Sequence, residues 1–214
     1  DEQVNAQELT LLTMAPACER IFTEFYAKDD VVTKVAAIQA LSGVFMAHPR
    51  QMLNLENNGL ITEVMASTSP GPVQRESLRC WRDILLAEES RVESGEAKAK
   101  MDSKKTITVS KRISGDQDAD ATLFGGILTN HASRLFEMTK SRDKSIRFAA
   151  VDLIGHLLRQ GQLNPNEATP HLLALQGDVE ENIRGKALKF LTLEGEKRPD
   201  MLRQRLCAGV KQAY

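Results

Sequence analysis

The strongest constraint in this sequence is a short pattern that returns four times. Asp30-x-x-Thr33-Lys34-Val35-Ala36-Ala37-Ile38-x-Ala40-Leu41 aligns without a gap on Asp143-x-x-Ile146-Arg147-Phe148-Ala149-Ala150-Val151-x-Leu153-Ile154. Ile183-Arg184-x-x-Ala187-Leu188-x-Phe190-Leu191 is a third copy, and Val73-Gln74-x-x-Ser77-Leu78-x-Cys80-Trp81 a weaker fourth. Each begins on a stripe residue (Thr33 in the first copy, apolar in the others), with a polar or basic neighbour. A small residue follows four positions on, and a large apolar one eight positions on. Positions 0, 4 and 8 of a helix lie on one face, so each copy is one buried stripe with a close-approach point at its centre.

The spacing between copies sets the architecture. Thr33 to Val73 is 40 residues, Ile146 to Ile183 is 37, and Val73 to Ile146 is 73. The last gap is one period plus about one insertion, and residues 90–120 lack apolar periodicity. A period near 40 with two helices per unit is the spacing of HEAT and armadillo repeats, whose units bury their apolar faces only by stacking. The expected fold is therefore all-α: a HEAT-repeat α-solenoid of about four helix pairs plus a C-terminal helix from Pro199. The expected organisation is helical repeats over 1–92, a flexible charged insertion over 93–118 and helical repeats over 119–214. An irregular all-α domain is the alternative.

Composition agrees. Leu and Ala together number 47 and aromatics make up 5 %, a bias toward helices. Hydrophobic residues at 42 % exclude a wholly disordered chain. The longest apolar runs are four residues, far short of the roughly 20 that a transmembrane helix needs. Local signals place the helix ends. Asp29 or Asp30 caps a helix reaching Ala47, and Pro16 kinks or restarts the first helix. Asn58-Gly59 ends a helix, and a short one follows from Leu60. Thr68–Pro72 starts a helix through Leu85, Asn164-Pro165 starts another, and Asp178 to Glu181 has capping-box spacing. Gly161 and Gly177 stand at helix C-termini.

No catalytic constellation is present. His48, His131, His156 and His171 form no metal-binding spacing, and no phosphate-binding glycine loop or nucleophile elbow occurs. Cys18, Cys80 and Cys207 are too far apart for a metal motif and odd in number, which points to a reducing compartment and buried apolar roles. The expectation is a non-enzymatic protein with no cofactor, no metal, no membrane and no small-molecule substrate. The chain opens on Asp1, without Met or a leader, and reads as a piece of something longer.

Charge nearly cancels, with 28 Lys+Arg against 29 Asp+Glu, but it is not even. One basic cluster, Lys98 to Arg112, includes Lys104, Lys105, Lys111 and Arg112. The other runs from Lys186 to Lys211 with seven bases, Lys197, Arg198, Arg203 and Arg205 among them, against Glu194, Glu196 and Asp200. Solvated faces are the plain reading of both. Phosphate contact needs no base-specific geometry, so these eight residues are the candidate DNA- or partner-binding set. No aromatic is interleaved for stacking on single-stranded bases.

The C-terminal third carries a resemblance. Phe148-Ala149-Ala150-Val151 through Arg159-Gln160-Gly161-Gln162-Leu163-Asn164-Pro165 leads into Thr169-Pro170-His171-Leu172-Leu173-Ala174-Leu175-Gln176-Gly177-Asp178. Ile183-Arg184-Gly185-Lys186-Ala187 and the ending Gly209-Val210-Lys211-Gln212-Ala213-Tyr214 follow. This order resembles the C-terminal HEAT region of the Nipped-B family, the large subunit of the cohesin loader. It covers about 141–214 well; 1–92 share the architecture loosely, and Val179 stands where the family often has proline. The resemblance implies a nuclear chromatin protein that binds cohesin's SMC and kleisin subunits and duplex DNA, and stimulates cohesin's ATPase without having one. It also implies a small TPR-type partner, bound through a region this chain lacks. The matching motifs are packing and capping motifs, so they carry over no binding residue. Another HEAT scaffold, of transport-receptor or phosphatase type, is the alternative.

Overall fold

The structure is a computed structural model that describes residues 2–48, 55–93 and 126–213, with side chains over 14–48, 59–90 and 126–211. Its elements are α1 (Glu2–Tyr26), α2 (Val31–Ala47), α3 (Leu55–Met65), α4 (Gly71–Glu93), α5 (Ala132–Met138), α6 (Lys144–Arg159), α7 (Pro165–Ala174), α8 (Glu181–Lys197) and α9 (Pro199–Ala213). A 3-10 turn, Leu175–Gly177, follows α7. No strand occurs among the described residues. The fold is all-α, of the HEAT-repeat α-solenoid class. The charged insertion expected over 93–118 lies outside the described residues, apart from Glu93 at the end of α4.

The chain divides into two compact units: Asp1–Val64 with Cys80–Phe124, and Met65–Arg79 with Gly125–Tyr214. In the first, α1 packs along α2. Ile38, Leu41, Phe45, Ile61, Val64, Trp81 and Ile84 form its core. In the second, α6 is buried on most sides. Its buried residues include Ile146, Ala149, Ala150, Val151, Leu153, Ile154, Leu157 and Leu158. Helix α5 and helix α8 pack against it, and α9 lies along α7.

The four stripes are the contact lines. Ala37, Leu41, Val73, Ser77, Trp81, Ile146, Ala150, Ile154, Ile183, Ala187 and Leu191 are all buried, and only Thr33, at the first turn of α2, is half-buried. The polar residue after each stripe's first position has a consistent job in three copies. Gln74 Nε2 donates to Ser69 O at 2.8 Å, Arg147 Nη1 to Arg142 O at 3.2 Å and Arg184 Nη1 to Val179 O at 3.1 Å. Each thus ties its helix to the carbonyl five residues earlier, in the loop that enters that helix. In the first copy Lys34 instead sets its ammonium 4.9 Å from the centre of the Tyr26 ring. Arg147 also reaches the next repeat, meeting both oxygens of Asp178 at 2.7 and 2.9 Å.

The caps divide into those that hold and those that tertiary contacts override. Asp30 accepts from Thr33 N at 2.8 Å, Asp143 from Ser145 N at 2.7 Å and Asn164 from Asn166 N at 3.0 Å. Gly161 has φ +72°, with Gln162 N bonded to Leu157 O and Gly161 N to Leu158 O, a Schellman cap. Gly177 is different: it closes the 3-10 turn without a left-handed φ. Asp178 forms no capping box. Its carboxylate is taken by Arg147 and Glu180 N, and Glu180 is the cap residue of α8 with no side-chain capping bond, its carboxylate pairing with Lys144 at 3.1 Å instead. Asn58-Gly59 ends nothing, because α3 runs through it. Burial of Ile61, Val64 and Met65 outweighs the ~1 kcal/mol that a mid-helix glycine costs. Helix α1 passes Pro16 without a break, and α4 continues eight residues beyond Leu85. Cys80 is buried as expected, but Cys18 is half-buried and Cys207 exposed. Helix α9 turns Gly209 toward α7, which leaves Cys207 outside.

Two glycines mark close approaches. A Cβ on Gly155 of α6 would stand 1.9 Å from the Phe190 ring, and one on Gly209 2.4 Å from Leu173 Cβ. Gly43, exposed in α2, has open space around it. Gly155→Ala should therefore lower stability by about 1–3 kcal/mol through overpacking. Gly43→Ala should raise it by about 0.5–1 kcal/mol. Urea melts read both, and equal effects at the two sites would contradict this packing.

Several groups give the pH dependence, among them the His131 imidazole, which burial lowers, and Asp30, which the Thr33 hydrogen bonds lower. Burial, with the nearby Lys140 charge, pushes the His171 imidazole down to about 4, and its ring stacks on Phe136 at 4.3 Å. The unfolded imidazole takes its proton near 6.5, so stability falls as pH drops from about 6.5 toward 4. Asp178 behaves otherwise. Burial favours its neutral form, but the hydrogen bonds from Arg147 and Glu180 N and the charges of Arg147 and Arg184 win, and its carboxyl lies below the usual range. Its contribution is present above about pH 4 and is lost only below that. His171→Phe should shrink the pH 6.5 to 4 limb of the urea midpoint, keeping the part due to His131, and leave the more acidic limb; an unchanged profile would contradict this assignment.

Candidate nucleic-acid interface

The basic C-terminal region is built by α8, its corner and α9. Helix α8 ends where Arg198 leaves helical geometry at φ −144° and ψ 69°, with Arg198 N bonded to Glu194 O at 2.8 Å. Pro199 then opens α9, where its missing N–H costs nothing. Thr169 of α7 touches Met201 Sδ at 3.7 Å, and Gly209 brings α9 close to Leu173. With that side of α9 turned to α7, residues 203–207, 210 and 211 are exposed.

The cations of this region fall into two groups. Lys186 is engaged: its ammonium pairs with the buried Asp152 carboxylate and lies 4.4 Å from the centre of the Phe148 ring. His156 stands 3.7 Å from the same carboxylate. Lys197 and Arg198 are engaged as well. The Glu194 carboxylate has a side chain only 4 % exposed, and it receives Arg198 Nη1 at 2.9 Å and Lys197 Nζ at 3.6 Å. By contrast, Lys189, Arg203 and Lys211 are exposed and carry no ion pair among the described residues. Arg205 is exposed, with only a long 3.5 Å contact from Nε to Asn166 Oδ1. After Asp200 the chain has no acid through Tyr214.

Of the eight residues expected to bind, Lys104, Lys105, Lys111 and Arg112 lie outside the described residues. Lys197 and Arg198 stand together at the α8 corner, and Arg203 and Arg205 share α9. Sequence reasoning counted Glu194 only as one of three acids and missed its pairing with Lys197 and Arg198. Its spacing to Lys197 and Arg198, three and four residues, was a visible signal for a helical ion pair. Its burial was not visible.

In chemical terms this is a half-engaged cationic edge that suits phosphate oxygens better than base edges. Elsewhere, His171 lines a cleft of about 180 Å³ with Thr139, Lys140, Ala174, Leu175, Gly177 and Asp178. No helix among the described residues is long and apolar enough to cross a membrane.

Comparison with known proteins gives the context. A family model described as Sister chromatid cohesion C-terminus, of the Nipped-B family, matches residues 124–214. Nipped-B-like protein A of Danio rerio is 24 % identical over 194 residues, covering 89 % of this chain and 8 % of that protein. Nipped-B-like protein of Homo sapiens is 24 % identical over 190 residues, covering 88 % of this chain and 6 % of that protein. The chain thus spans less than a tenth of the length of these relatives. By these matches residues 124–214 are similar to the C-terminal region of the Nipped-B family.

Proposed function

We propose that this chain is a non-enzymatic HEAT-repeat scaffold segment of a cohesin loader, acting in the nucleus on chromatin. The observation that carries the reading is the cohesion-family match over 124–214, on helices whose conspicuous residues serve packing and capping. In this reading the segment supports loading of cohesin and sister chromatid cohesion. It presents surfaces to cohesin's SMC and kleisin subunits and to duplex DNA, and the loader stimulates an ATPase that belongs to cohesin. The reading includes helical repeats over 1–92 and 119–214, with a charged insertion over 93–118. The small TPR-type loader subunit would bind elsewhere in the parent protein.

Duplex contact is assigned to Lys104, Lys105, Lys111 and Arg112 of the insertion and to Arg203 and Arg205, with Lys197 and Arg198 joining them only when freed from Glu194. Such contact gathers phosphates without reading bases, so its mark is salt dependence. Each phosphate neutralised contributes about −0.9 to the slope of log affinity against log salt. Anisotropy titrations with a 30-bp duplex should give a steep slope, and Arg203→Glu with Arg205→Glu should flatten it by about 2. A flat, very weak response would remove the DNA reading. The loader reading is tested separately, by pull-down of cohesin subunits with the full-length parent, and absence of association would overturn it.

A further inference from the structure

The engaged pair at the α8 corner carries a consequence for binding. Glu194 belongs to the buried face of α8, yet it accepts from two cations whose own side chains are about half exposed, 51 % for Lys197 and 52 % for Arg198. A desolvated carboxylate that loses its partners is left uncompensated, so it holds them firmly. The Arg198 backbone N–H is bonded to Glu194 O, which keeps its Cα beside this carboxylate. Together with Glu194 the two cations therefore present one net positive charge, and the acids beside them, Glu196 and Asp200, are exposed. Arg203, Arg205 and Lys211 face no such buried acid.

We propose that Glu194 is an internal competitor for phosphate: it withholds Lys197 and Arg198 from duplex DNA and sets the strength of this basic surface. The proposal rests on the duplex-DNA reading above. When a phosphate approaches the corner, its oxygens and the Glu194 carboxylate compete for the same guanidinium and ammonium protons. The carboxylate is already in place and shielded from water, so it wins in the unmodified chain. Phosphate contact is then carried by α9. A partner contact or a substitution that neutralises Glu194 would release both cations together.

Anisotropy titrations of a 30-bp duplex over a salt series, with the whole 214-residue chain, test this. Glu194→Gln keeps the side-chain shape and removes the charge. It should tighten binding by about fivefold near 100 mM salt. It should also steepen the salt slope by up to about 1.8. Arg198→Gln in the native background should leave affinity and slope almost unchanged, whereas in the Glu194→Gln background it should reverse much of the gain. The single Arg198→Gln variant keeps the test decisive if Glu194→Gln proves too unstable, since an open phosphate contact would lose about 0.9 of slope on that change. If the native chain binds but Glu194→Gln is unchanged or weaker, the competitor role is overturned and the DNA reading survives. If neither native chain nor Glu194→Gln binds, both fall together.

Discussion

The interaction on which the rest of this structure depends is the close contact made at the centre of each stripe. Ala37, Ser77, Ala150 and Ala187 are all buried, and each is flanked four residues away by larger side chains. A methyl or hydroxymethyl group there leaves room for a neighbouring helix to approach more closely than a large side chain would. The large residue one turn later then fills the space that opens beside it. Ser77 shows that the requirement is size rather than apolarity. Its hydroxyl is fully buried yet satisfied by Gln74 O at 2.7 Å, so it adds no unpaired group. At Gly155 the same requirement reaches its limit, because the Phe190 ring occupies the place of a Cβ.

Close packing of helix faces leaves the connecting loops with carbonyls to satisfy, and the polar residue beside each stripe does this. Gln74, Arg147 and Arg184 use different side chains to reach the same carbonyl, five residues back. Arg147 has donors to spare, so it links its own loop to Asp178 of the next repeat. That link explains the missing capping box at α8. A carboxylate that meets a guanidinium with both oxygens makes two charge-assisted bonds, which exceeds what a single cap bond to a backbone amide offers. Local capping chemistry yields here to a contact 31 residues away.

This difference in range also separates what the sequence made legible from what it did not. The repeat register and the caps at Asp30, Asn164 and Gly161 depend on neighbours within a turn or two, and all could be read directly. The passage of α3 through Asn58-Gly59 could not, because it depends on burial of Ile61, Val64 and Met65 by other helices. Nor could the exposure of Cys207, which follows from Gly209 choosing the side of α9 that meets α7. At the basic edge the residue types were legible, and their engagement was not.

That last gap bears on how charge in such a protein should be weighed. A net charge of −1 says that acids outnumber cations by one, not that they cancel where they stand. Asp152 and Glu194 are buried acids of α6 and α8, and each neutralises cations that reach it from the surface. They are structural in origin, since a carboxylate in an apolar setting must be paired. Their effect is nevertheless felt outside, because Lys186, Lys197 and Arg198 are removed from the outward field. Helix α9 has no buried acid after Asp200, so Arg203, Arg205 and Lys211 keep their full charge toward solvent. In a stack of helices, the potential offered to a partner is set by which acids the core requires.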